Sequence, residues 1–94
     1  TLDWEKEERT IGVNVSGFTA LATVAMHHFL NRRKGHLVGI SSIAGERGNR
    51  IAPAYAASKA YISNYLQGLR NYAVKNDAHI TITDIKPGFV KTPM

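Results

Sequence analysis

The sequence contains no cysteine, which removes disulfide scaffolds and thiolate metal sites from consideration and favours an intracellular, cytoplasmic address. No apolar run approaches the ~18 residues that a bilayer-crossing helix needs. No leader with a charged start, an apolar middle and a small-residue cleavage site opens the chain, although the first residue is not Met. Repeats, linkers and low-complexity tracts are missing as well, so no internal domain boundary is expected. Acids are scarce, with 7 Asp+Glu against 12 Lys+Arg and a formal charge of +5. Such a balance invites a nucleic-acid or membrane-surface partner, but its distribution argues against one. Asp3, Glu5, Glu7 and Glu8 crowd the start, Arg32-Arg33-Lys34 is the only basic run, and the other cations stand singly with no aromatic interleaving. The expectation is a solvated surface with one basic helix end, no nucleic-acid partner, no membrane span and no metal.

What is present is an ordinary globular balance, 44% hydrophobic and 20% charged, over 94 residues. That length suits one small domain or part of a larger one. A βαβ unit takes ~30 residues, so there is room for about three, too few for a complete doubly wound nucleotide-binding sheet. Across residues 5–33 acids precede cations, the order a helix macrodipole favours, and Gly35 follows. One long helix is expected there, with a stripe of Ile11, Val15, Phe18, Ala22, Met26 and Phe29. Leu21, Val24, Ala25 and His28 form a second face for a neighbouring helix or a second subunit. Residues 36–41 read as a fully buried strand and 42–53 as a loop leaving its carboxyl end, with Pro53 in the first turn of the next helix.

Over residues 54–75, Tyr55, Lys59, Ile62, Leu66, Leu69 and Ala73 recur at intervals of four and three, which predicts an amphipathic helix with the Tyr55 and Lys59 tips toward its packed side. Asn76-Asp77 makes a turn, residues 79–86 a strand, and Pro87-Gly88 stops it. The order helix, strand, helix, strand ends in a right-handed βαβ unit. Two parallel strands with helices on one side leave the other face wet, which such sheets do not tolerate. The expectation is therefore an α/β fold that forms part of a larger sheet and is incomplete at both ends.

In open α/β sheets, ligands bind beyond the carboxyl ends of the strands, and three features of the sequence converge there. Ser41-Ser42 ends the first strand, Tyr55 and Lys59 open the following helix, and Pro87-Gly88 with Thr92 follows the second strand. Tyr55 and Lys59, four apart, share one side of a helix. At ~5 Å and an effective dielectric of ~20 an ammonium attracts a phenolate by ~3 kcal/mol, which suits the phenol to proton exchange with a substrate oxygen. Alone, such a pair is most often an ordinary surface neighbour pair, Ser42 a loop cap, and Asn14 a solvated polar residue in a helix.

Together, four segments resemble a known family. Asn14-Val15-Ser16-Gly17, Gly35 to Gly45 (GHLVGISSIAG), Tyr55-Ala56-Ala57-Ser58-Lys59-Ala60 and Pro87-Gly88-Phe89-Val90-Lys91-Thr92 resemble, in order and separation, motifs of the short-chain dehydrogenase/reductase family. The resemblance covers nearly the whole chain. It implies a Rossmann-like doubly wound parallel sheet, of which residues 1–94 are the catalytic middle. It also implies an NAD(P)-dependent oxidoreductase that interconverts a carbonyl and an alcohol by hydride transfer.

By the same resemblance, Tyr55 is the proton donor and acceptor and also a cofactor contact, and Lys59 supports it and holds the nicotinamide ribose. Ser42 orients the carbonyl, and Asn14 anchors a water that links Lys59 to solvent. Pro87, Gly88, Val90 and Thr92 position the nicotinamide carboxamide. The two long helices imply a homodimer or homotetramer. The family's Gly-rich Thr-Gly-x-x-x-Gly-x-Gly turn and Asn-Asn-Ala-Gly segment have no counterpart in these 94 residues, which leaves NAD versus NADP open. A non-catalytic binding or oligomerisation protein of the same family is the alternative, and related epimerases and dehydratases, which share the Tyr and Lys, rank below a simple reductase.

Overall fold

A computed structural model describes residues 2–41 and 53–86. Helix α1 runs over Trp4–Ile11, a π-helical turn over Gly12–Gly17, and α2 over Phe18–Arg32. They are followed by strand β1, Lys34–Ile40, helix α3, Pro53–Lys75, and strand β2, His79–Ile85. Asp3 caps α1 by accepting from the Glu5 N–H at 3.0 Å, which satisfies one of the orphan donors of the first turn. The expected long helix is thus continuous from Trp4 to Arg32 but widened in its middle. Its dislocated hydrogen bonding is absorbed by Thr19, whose hydroxyl donates to the Val15 carbonyl at 2.7 Å. That proton being spent, the Tyr61 hydroxyl donates to Thr19 Oγ1 at 2.6 Å, which ties the widened turn to α3.

The helix ends at Arg32, one residue short of the expected 33 and ahead of Gly35. Arg33 takes the left-handed conformation (φ 58°), and its guanidinium donates to the Asn76 and Asp77 carbonyls at the end of α3. The His79 N–H in turn donates to the Arg33 carbonyl at 3.0 Å. One cation therefore serves carbonyls beyond the C-terminus of α3 while its own backbone meets β2. Gly35 belongs to β1, where a Cβ would meet the Phe29 ring at 2.3 Å. Gly39 repeats the arrangement, with Leu66 2.5 Å from a built Cβ. These two glycines let α2 and α3 approach the same face of β1.

β1 and β2 pair in parallel, with Lys34 opposite His79 and Ile40 opposite Ile85. The core lies between that face and the helices and comprises Met26, Ile62, Leu66, Ala73, Ile80 and Ile82, with Phe18, Phe29 and Leu37 packed on it. The other face is open. Val38 is 48% exposed and Ile40 56%, so β1 is not the fully buried strand its composition suggested; both helices cover one side of the pair and none of the described residues covers the other. The first stripe holds at Ala22 and Met26 but fails at Ile11, which belongs to α1, none of whose residues is buried.

Candidate active site

Strands β1 and β2 are parallel and α3 connects them, so α3 runs back along the sheet and its first turns lie at the carboxyl end of β1. Tyr55 and Lys59 are one turn apart there. The Lys59 Nζ is 5.3 Å from the centroid of the Tyr55 ring, within cation–π range. Tyr55 is 45% exposed and Lys59 half-buried, so the phenol faces outward rather than toward the packed side that its place in the apolar stripe suggested. The reason is its position in the opening turn of α3, ahead of the buried Ile62 and Leu66 that seat the helix on the sheet.

Between them, Ser58 is 2% exposed. Its hydroxyl donates to the Tyr55 carbonyl at 2.7 Å and accepts from Asn14 Nδ2 at 3.1 Å. Asn14 therefore joins the constellation through Ser58. It sits in the π-turn, a common site for a residue re-aimed toward function. A second residue supports the same helix from α1: Glu7 Oε2 accepts the Ala54 N–H at 3.1 Å. First-turn N–H groups lack intrahelical partners, and an anion is favoured at that end of the dipole. Ser58 was legible only as part of Tyr-Ala-Ala-Ser-Lys, and nothing in the local sequence marks Glu7 as a cap for a helix 47 residues away.

Ser42, Pro87, Gly88, Val90 and Thr92 lie outside the described residues. Of the expected site, Tyr55, Lys59 and Asn14 are brought together. The arrangement offers an ammonium with three donors over the face of a phenol ring, groups able to donate to and exchange protons with oxygen atoms of a bound molecule. Among the described residues there is no group of His, Asp or Glu that could hold a metal ion, and no helix long and apolar enough to cross a membrane.

The model of the short chain dehydrogenase family matches residues 1–94. An uncharacterized oxidoreductase of Myxococcus xanthus is 39% identical over 93 residues, covering 99% of this chain and 36% of that protein. An uncharacterized oxidoreductase of Staphylococcus saprophyticus is 34% identical over 92 residues, covering 98% of this chain and 38% of its own length. The crystal structure of acetoin dehydrogenase YohF from Salmonella typhimurium superposes with a TM-score of 0.82 at 22% identity, over 98% of this chain and 38% of that one. The chain thus spans less than two fifths of the length of these proteins, and the last likeness establishes the Rossmann-type fold.

Proposed function

The chain belongs to the short-chain dehydrogenase family, an oxidoreductase family, and from that premise we propose that its 94 residues are the catalytic middle portion of one Rossmann-like domain that interconverts a carbonyl and an alcohol with NAD(H) or NADP(H). The observation that carries the reading is the pairing of Tyr55 with Lys59 on the opening turns of α3, braced by Ser58 and Asn14. A nicotinamide nucleotide, when bound, supplies or receives the hydride at the carbonyl carbon. The proton belongs to the protein. In reduction Tyr55 gives its hydroxyl proton to the carbonyl oxygen, and in oxidation it takes the proton from the alcohol. Lys59, its Nζ 5.3 Å from the ring centroid, holds the ribose hydroxyls. Ser42 orients the substrate oxygen, Asn14 anchors the water that links Lys59 to solvent, and Pro87, Gly88, Val90 and Thr92 hold the carboxamide.

The assembly is read from the helices. Leu21 and Val24 on α2 are exposed, and an apolar groove of about 250 Å³ between α2 and α3 is lined by Met26, Leu30, Tyr65 and Leu69. These features support a homodimer or homotetramer through the helix pair, in a cytoplasmic enzyme acting on a small molecule. The reading is tested by Tyr55→Phe in a full-length oxidoreductase carrying these residues. Turnover of small aldehydes and ketones, followed by NAD(P)H absorbance, falls by ~10²–10⁴-fold, the usual worth of a positioned proton donor. Circular dichroism stays unchanged. Near-parental turnover contradicts the role given to Tyr55.

A further inference from the structure

Three segments meet at Asp84, a residue outside the four segments that carry the family resemblance. On the helix-facing side of β2, Ile80 and Ile82 are buried and apolar, and Asp84, next in that row, breaks the pattern at the carboxyl end of the strand. Its carboxylate is half-buried and shared. Oδ1 accepts from the Ser41 hydroxyl at 2.6 Å, and Oδ2 accepts from the Ser63 hydroxyl at 2.7 Å. Ser41 is 2% exposed, and its N–H donates to the Ile85 carbonyl at 2.9 Å. Ser63 lies one helical turn beyond Lys59 on α3.

Adhesion alone does not call for this arrangement. A carboxylate withdrawn from water is costly unless its oxygens are satisfied, and apolar residues of similar size hold two elements together at least as well. What a two-pronged acceptor adds is direction: each hydroxyl is fixed in distance and angle against the same rigid group. The elements so fixed are the end of β1 and the helix that carries Tyr55 and Lys59. We propose that Asp84 is a positioning residue for the reaction described above, holding the strand end that leads to Ser42 and the helix of Tyr55 and Lys59 in mutual register through Ser41 and Ser63. The inference rests on the roles given to Tyr55, Lys59 and Ser42.

The test compares Asp84→Ala, Asp84→Asn and Ser63→Ala in a full-length oxidoreductase carrying these residues, with Tyr55→Phe as a control. The probes are small aldehydes and ketones, with NAD(P)H as reductant. Misplacement of reacting groups by about 1 Å costs up to ~10²-fold, so Asp84→Ala lowers kcat at least about tenfold while KM and NAD(P)H affinity change little. Asp84→Asn retains an acceptor oxygen and the side-chain shape, and recovers most of the turnover. Ser63→Ala loses kcat several-fold, and its effect combined with Asp84→Ala is less than additive because the two share one bond.

Wild-type kcat in folded Asp84→Ala protein, with only the melting temperature lowered, overturns the proposal. If Asp84→Ala does not fold, Ser63→Ala decides: a loss of kcat at an unchanged melting temperature supports the proposal, and an unchanged kcat overturns it. Activity in Tyr55→Phe marks a failure of the underlying reading, whereas an inactive Tyr55→Phe beside a fully active Asp84→Ala marks a failure of this inference alone.

Discussion

Gly39 is the residue on which the seat of α3 turns, because a methyl group there would stand 2.5 Å from a terminal methyl of Leu66, a fully buried side chain that would have to shift. Gly39→Ala should destabilise the fold by ~1–3 kcal/mol, the usual cost of overpacking, read as a lower midpoint in urea unfolding. Gly12, whose built Cβ meets nothing, should tolerate alanine. Glu7 acts on the same helix from its other end. Glu7→Gln keeps an acceptor for the Ala54 N–H but removes the charge that favours the helix N-terminus, and Glu7→Ala removes both. Loss of a cap costs ~0.5–2 kcal/mol, so Glu7→Ala should lower the unfolding midpoint more than Glu7→Gln does. Equal midpoints for the two variants would mean that the hydrogen bond contributes nothing beyond the charge.

At the scale of the elements, much of the fold could be read in advance because periodicity reports which residues share a face. The spacing of Ile62, Leu66 and Ala73 foretold α3, and the Ile-Thr alternation from His79 foretold β2. The π-turn could not be read that way. Gly12 to Gly17 holds two glycines and no strong helix former, which marks a weak stretch of helix but not its widening, and the partners on α3, Ser58 for Asn14 and Tyr61 for Thr19, lie far away in the sequence. The same holds for the end of α2, where a glycine stood at a plausible stop and Arg33 took the left-handed position instead, held by carbonyls 43 and 44 residues away. Tyr55 and Lys59 were legible because both lie on one helix four apart. Glu7, Ser63 and Asp84 were not, since each acts across the fold on a residue that the linear sequence places elsewhere.

At the scale of the whole molecule, the described residues set Tyr55 and Lys59 beside a two-stranded sheet with one face that none of them covers, where Val38, Ile40 and Ile85 are exposed. Parallel strands are stable when both faces are covered, so the isolated 94-residue polypeptide should sediment above monomer mass, and Val38→Thr with Ile40→Thr should shift it toward monomer while keeping strand propensity. That polypeptide should also show no NAD(P)H affinity, because the contacts proposed for it reach only the nicotinamide end and its sequence holds no Thr-Gly-x-x-x-Gly-x-Gly turn for the pyrophosphate. Isotope transfer decides whether Tyr55 and Lys59 serve a carbonyl–alcohol oxidoreductase. A full-length oxidoreductase carrying these residues is incubated with NADH or NADPH doubly deuterated at the nicotinamide C4 and a panel of small aldehydes and ketones, and the products are analysed by mass spectrometry. The account predicts one deuterium on the carbinol carbon of the product alcohol, and its disappearance in Tyr55→Phe; a folded protein that binds neither cofactor and forms no labelled alcohol would contradict it.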